Sequence, residues 1–282
     1  MKTFNGKAIY NPSGKAGEYS YWACNFYVGC SNGCTYCYCK KGILAGAMGQ
    51  DKPQLKKCFK DEKHALEVFE KELLQNKTEL QKHGIFFSFT TDPAIEETWY
   101  LTGCAINICR LHDVPFSVLT KSAKWLVDEF IYELQNNGTI WNREPKIHLW
   151  SFGFTLTGHD ELEPNASTNL ERIETMKKLH NAGFKTFASI EPIIDFDASY
   201  EMIQKLSLTF SCDLFKIGLL SGKKYDLTLL RRFINHVTWL VDETPIYFKD
   251  TLLKQAGIER KELPENCVNR DYKLHEAHVH VA

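Results

Sequence analysis

Short runs of apolar and β-branched residues recur along the chain at 22–27 (WACNFY), 85–90 (IFFSFT), 115–120 (PFSVLT), 147–152 (IHLWSF), 184–190 (FKTFASI) and 214–220 (LFKIGLL). A seventh stands at 245–249 (PIYFK). Runs of this length, bounded by turn residues, read as strands. Between them lie longer stretches in which apolar positions return every three or four residues among charges: DEKHALEVFEKELLQ (61–75), AKWLVDEFIYELQ (123–135) and TNLERIETMKKLH (168–180). These read as helices. Thr168, three residues before Glu171, predicts a capping box. Gly84, Gly138 and Gly183 stand where the helices should stop, just ahead of the next strand.

Strand–helix alternation repeated about six times predicts an α/β fold with parallel strands and right-handed crossovers, either a barrel or a doubly wound sheet. We read a lead-in over 1–21, one core domain over 22–250 and a C-terminal extension over 251–282. In such folds ligands bind at the C-terminal ends of the strands. The second strand ends in Thr90-Thr91-Asp92-Pro93, the third in Thr120-Lys121-Ser122, and the fourth carries Ser151. The fifth ends in Ser189-Ile190-Glu191-Pro192 and the seventh in Lys249-Asp250. Apolar strands that each end in hydroxyls or charges predict a polar mouth on an apolar barrel.

Composition narrows the chemistry. With 44% hydrophobic and 24% charged residues the chain reads as a soluble globular protein, and a formal net charge of −1 supplies no global field for nucleic acid or anionic lipid. The first residues are polar and lack the apolar run of a signal peptide, and no stretch is long enough to span a bilayer. The protein is therefore expected in the cytoplasm, off the membrane, where thiols stay reduced. That matters because four of the ten cysteines fall within GCSNGCTYCYC, residues 29–39. Disulfides are not expected there. Zinc sites prefer two pairs of ligands a dozen or more residues apart. Here the spacing is C-x3-C-x2-C, and Cys104 and Cys109 lie in a predicted helix (GCAINIC) as structural thiols. Cys39 is two residues past Cys37, which points the two side chains apart if the chain is extended. Two readings follow: an iron–sulfur cluster held by Cys30, Cys34 and Cys37 with one iron open, or a non-enzymatic module with zinc on those three and Cys39.

CSNGCTYC resembles the cluster motif of the radical S-adenosylmethionine superfamily, three cysteines with an aromatic before the third. The segments GKAIYNPSGKAGEYS, CNFYVGCSNGCTYCYC, FSFTTDP, VLTKS, TFASIEPIID and FKIGLLSG resemble, in order, those of its spore-photoproduct-lyase-like branch, also labelled DNA repair photolyases. The resemblance implies a partial (β/α)6-type barrel and a [4Fe–4S] cluster on Cys30, Cys34 and Cys37. It implies S-adenosylmethionine chelated to the fourth iron and cleaved reductively to a 5′-deoxyadenosyl radical. It sets Tyr36 against the adenine, Thr91 and Lys121 at the methionine end, Ser151 on the fourth strand, and Ser189 and Glu191 near the ribose or methionine. A one-electron reductant of flavodoxin or ferredoxin type is the implied partner, and nucleic acid the substrate class it raises.

One departure stands out. Spore photoproduct lyases carry a hydrogen-returning cysteine just before the Thr-Ser-Asp-like segment, where this chain has Phe89. Clean reversal of the thymine lesion by that route is not expected. Tyr36 and Tyr38, which flank the third cysteine, match the branch's relay tyrosines, and Cys39 is an added thiol beside them. Tyr38 and Cys39 are thus the catalytic candidates. For a nucleic-acid partner, Lys40, Lys41, Lys52, Lys56, Lys57, Lys60 and Lys63 outnumber Asp51, Asp61 and Glu62, although such a run is more commonly a solvated face. The terminal HEAHVHVA, with His275, His278 and His280, reads as a loose tail.

Overall fold

All seven apolar runs become strands in a computed structural model, which describes residues 3–42, 45–124 and 146–276. In chain order the strands are β1 (Ile9–Tyr10), β2 (Ala23–Cys24), β3 (Tyr27–Val28), β4 (Gln54–Leu55), β5 (Ile85–Phe87), β6 (Phe116–Thr120), β7 (Trp150–Thr155), β8 (Lys185–Ile193), β9 (Phe215–Leu219) and β10 (Ile246–Phe248). Eight of them form one sheet in the order β1-β2-β5-β6-β7-β8-β9-β10. From β2 to β10 every pairing is parallel, whereas β1 runs antiparallel to β2. Among the described residues no ladder joins β10 back to β1, so the barrel is partial. β3 and β4 make a separate antiparallel pair.

The fourth strand differs from its expected range. It was expected over 147–152, but 147–149 form a 3-10 turn and the strand runs 150–155. Every residue of β7 is buried, so the sequence carries no alternation there to mark where the strand begins. The shift carries its C-terminal end to Thr155.

The crossover helices obey local chemistry. Glu62–Gln75 starts on Asp61, whose side chain accepts from the His64 N–H at 2.7 Å. Asn169–Asn181 has the expected capping box: Thr168 Oγ1 accepts from Glu171 N–H at 3.2 Å, and the Thr168 N–H donates to Glu171 Oε2 at 2.7 Å. Trp99–Leu111 takes up GCAINIC and buries Cys109. The helix expected over 123–135 and Gly138 fall mainly outside the described residues. No helix among the described residues is long and apolar enough to cross a membrane.

Most of the core lies between the sheet and its helices. A smaller apolar group, with Tyr19, Phe86, Phe187 and Tyr247, forms apart from it. Here large rings need small neighbours. A Cβ on Gly153 in β7 would come within 2.2 Å of the Phe187 ring. Gly153→Ala is expected to cost about 1–3 kcal/mol by overpacking, read as a lowered midpoint in denaturant unfolding. An unchanged midpoint would mean that Phe187 can move aside.

Candidate active site

At the C-terminal ends of the strands the chain encloses a cavity of about 410 Å³. Cys30, Cys34 and Cys37 line it, and so do Tyr36, Tyr38, Cys39, Thr91, Lys121, Ser189 and Glu191. Ser151 is not brought there. It sits near the start of β7, where its hydroxyl pairs with that of Ser117 at 2.7 Å and donates to the Phe116 carbonyl at 3.1 Å. Because β7 is displaced along the sequence, Thr155 occupies the cavity end of that strand.

The cysteine loop is held on both sides. Gly29 adopts φ +82°, and a Cβ there would lie 2.5 Å from the Lys52 carbonyl oxygen. This close approach lets the Cys30 N–H donate to Gln50 O at 3.0 Å. On the far side the Thr35 N–H donates to Leu162 O at 3.0 Å, and Asn165 Nδ2 to Ser31 O at 2.9 Å. Asp92, 8% exposed, is the hub. Its carboxylate accepts from Asn32 Nδ2 at 2.8 Å, Thr120 Oγ1 at 2.6 Å, the Lys121 N–H at 2.7 Å and the Ala94 N–H at 3.0 Å. One carboxylate thus ties the cysteine loop to the ends of β5 and β6.

Tyr36 is anchored by its hydroxyl, which donates to Glu163. Glu163 in turn pairs with Arg172 at 2.6 Å, both side chains fully buried. Arg172 also donates to the Thr155 carbonyl at 2.8 Å. The Lys121 ammonium lies 5.6 Å from the centroid of the Tyr36 ring. Burial opposes its charge, but Tyr36, Cys34 and Glu163 together hold its pKa well above the ordinary lysine value.

Cys39 does not point away from Cys37. The chain is not extended there: Tyr38–Lys40 is a 3-10 turn that sets the Cys39 thiol beside that of Cys37, with Cys39 Sγ 3.9 Å from the Phe89 carbonyl oxygen. The neighbouring Cys39 thiol lowers the Cys37 pKa while that of Cys39 rises, and burial pushes Cys30 up to about 12. The Tyr38 hydroxyl donates to the Phe89 carbonyl.

On the opposite wall, Lys249 Nζ contacts both Glu191 oxygens, at 2.9 and 3.2 Å, and donates to Lys15 O at 3.0 Å. Gly218 makes room for the pair, since a Cβ there would lie 2.6 Å from Glu191 Cδ and 2.8 Å from Lys249 Cδ. Burial raises the Glu191 pKa against the pull of Lys249. Ser189 shares a hydrogen bond with the Tyr19 hydroxyl. The sequence reading missed Tyr19, Glu163 and Arg172 altogether. It quoted Asp92 and Lys249 only as strand-end residues.

Among the described residues no three His, Cys, Asp or Glu side chains converge on a single metal ion. A cubane cluster asks for something different, since each thiolate binds its own iron. The donor set of three loop thiols facing one cavity suits such a group. The Thr91 hydroxyl lines the same cavity, buried and without a hydrogen-bond partner, as a group awaiting a ligand does.

No family model matches the sequence, and no curated protein matches it. Solved structures do. Spore photoproduct lyase complexed with dinucleoside spore photoproduct is 17% identical, with a TM-score of 0.52 over 80% of this chain and 62% of that one. A double mutant of the same enzyme with bound AdoMet and dinucleoside spore photoproduct is 17% identical, with a TM-score of 0.55 over the same shares of 80% and 62%. Streptococcus suis SuiB bound to S-adenosylmethionine is 16% identical, with a TM-score of 0.54 over 81% of this chain and 47% of that one. The chain spans less than two thirds of the length of each. At these identities the likeness is one of fold: the chain shares the partial parallel barrel of spore photoproduct lyase and SuiB.

Proposed function

We propose that the protein is a radical S-adenosylmethionine enzyme whose cofactors occupy the cavity at the C-terminal ends of the strands. The observation that carries this reading is the meeting, around one cavity, of three loop thiols, the unpartnered Thr91 hydroxyl and the Lys121 ammonium. Cys30, Cys34 and Cys37 would hold a [4Fe–4S] cluster. Once reduced by a flavodoxin- or ferredoxin-like donor, cluster and S-adenosylmethionine together supply a 5′-deoxyadenosyl radical. The chain's own task is to orient and to exclude water. Lys121 offers an ammonium to the cofactor's carboxylate and Thr91 a hydroxyl beside it. Tyr36, fixed through Glu163 and Arg172, offers a ring edge or face to the adenine. Glu191, fixed by Lys249, and Ser189 offer acceptors to the ribose hydroxyls.

For the substrate, nucleic acid is the class we propose. Of the lysines between 40 and 63, Lys40 pairs with Asp51 at 2.5 Å and Lys56 donates to Lys7 O at 2.5 Å. Lys41, Lys52, Lys57, Lys60 and Lys63 remain exposed and available to phosphates. Phe89 lines the cavity, and its ring cannot return a hydrogen atom, so we assign that role to Tyr38 and Cys39, which line the same cavity. The test of the function is anaerobic reduction of the protein with S-adenosylmethionine. Formation of 5′-deoxyadenosine is expected. Colourless protein that carries zinc and forms none would leave the metal-binding module as the reading.

Lys121→Met should keep its iron and weaken S-adenosylmethionine binding by about one to two decades, the scale of a charged hydrogen bond worth roughly 1.5–3 kcal/mol. Equilibrium binding to the cluster-loaded variant measures this. Unchanged affinity would move the cofactor's carboxylate away from β6.

A further inference from the structure

A second cavity lies at the opposite end of the strands, and the function proposed above makes no use of it. It measures about 70 Å³ and sits between the N-terminal ends of the strands and the segment 270–275 that passes over them. Since roughly 10–15 Å³ of such space admits one water, it holds several waters or one small oxyanion. Ser117, Ser151 and Lys216 reach it from β6, β7 and β9, and Arg270 and His275 from the C-terminal segment.

Several of these groups lack the partner their chemistry requires. Lys216 Nζ donates to Tyr19 O at 3.2 Å and otherwise faces aromatic rings, 4.7 Å from the centroid of Tyr19 and 5.1 Å from that of Phe187. Among the described residues no carboxylate lies within ion-pair distance of it. Burial and the nearby Lys249 lower its pKa to about 8. His275 Nε2 is buried with no hydrogen-bond partner. Arg270 stacks on Tyr21 at 4.5 Å, and its Nε lies 4.0 Å from an Asp271 oxygen that already accepts from the Tyr21 hydroxyl. Lys273, by contrast, is satisfied by Glu276 at 2.6 Å. Besides the paired Lys273, the cavity therefore gathers two further cations, an orphaned imidazole nitrogen and a hydroxyl pair, with Asp271 as its one lining carboxylate.

We infer that this cavity is a binding site for a small oxyanion of the phosphate class, held by Lys216 from the barrel and by Arg270 and His275 from the C-terminal segment. A tetrahedral anion accepts hydrogen bonds from several directions, which suits donors converging from two separate parts of the chain. Because the site draws on both, its ligand would pin the C-terminal segment to the barrel floor.

Inorganic phosphate is the probe, added to the full chain with chloride at matched ionic strength as control. Phosphate should raise the unfolding temperature saturably, sulfate should compete with it, and calorimetry should give one site per chain. Lys216→Met and His275→Gln should each weaken phosphate binding at least tenfold while keeping the iron content of the parent protein. Should Lys216→Met fail to fold, His275→Gln, on the periphery, decides alone. A phosphate effect no larger than that of chloride, or parental affinity in a folded variant, would overturn the assignment. Neither result bears on the thiol-lined cavity.

Discussion

Replacing any one of Cys30, Cys34 or Cys37 by alanine is expected to strip the protein of iron and reduce 5′-deoxyadenosine formation to background, whereas Cys39→Ala keeps both. A [4Fe–4S] cluster held by Cys30, Cys34 and Cys37 would leave one iron without a thiolate, free to bind S-adenosylmethionine. Loss of an outer-shell partner costs a metal site about 10–100-fold in affinity, so loss of a direct thiolate costs at least that. Cys39 is brought beside Cys37 by the 3-10 turn at Tyr38–Lys40 and lies 3.9 Å from the Phe89 carbonyl oxygen, as a neighbour of the ligand set rather than a member of it. The measurements are iron and sulfide content after anaerobic reconstitution and chromatography of the cofactor products. Iron loss in Cys39→Ala equal to that in the other three would favour four-thiolate coordination and sink the proposal of an open iron.

Arg172→Met is expected to destabilise the fold by about 3–5 kcal/mol, the scale for removing one partner of a buried ion pair. Arg172 and Glu163 are both fully buried, 2.6 Å apart. Without the guanidinium, Glu163 must either carry an uncompensated charge or take up a proton, and its hold on the Tyr36 hydroxyl changes with it. The double variant with Glu163→Gln removes both charges and should recover much of the loss. Denaturant unfolding of the two variants, with the cluster absent from all samples, separates this from any effect on cofactor binding. A cost below about 1 kcal/mol for Arg172→Met would be surface-pair behaviour and would contradict the burial.

Much of this was legible in the sequence, for reasons that can be stated residue by residue. The strands were visible because buried parallel strands leave dense apolar runs, and the cavity-lining ends at Thr91, Lys121, Ser189 and Glu191 followed from the polar residues that terminate them. Ser151 was misplaced by the same logic, since β7 is buried along its whole length and offers no contrast by which to locate its end. The condition set for Cys39, an extended chain after Cys37, is not met, because sequence spacing cannot distinguish an extended step from a 3-10 turn. Glu163 and Arg172 were invisible for a different reason. Tyr36 and Glu163 are 127 residues apart, and ELEPN reads as an ordinary polar loop until the fold brings it under the cysteines. The terminal histidines divide: His275 lines the second cavity, while His278 and His280 lie outside the described residues.

Asp92 has a mechanical consequence. The cysteine loop carries one end of the proposed cofactor assembly and the first residue after β6 the other, and both are referenced to the same two carboxylate oxygens. Thermal displacement of that carboxylate moves Asn32, Thr120 and Lys121 together, so their separation fluctuates less than the position of any one of them. A reaction that depends on a short, fixed gap between an electron source and a bond to be broken is sensitive to relative motion and indifferent to shared motion. Asp92 converts the first kind into the second.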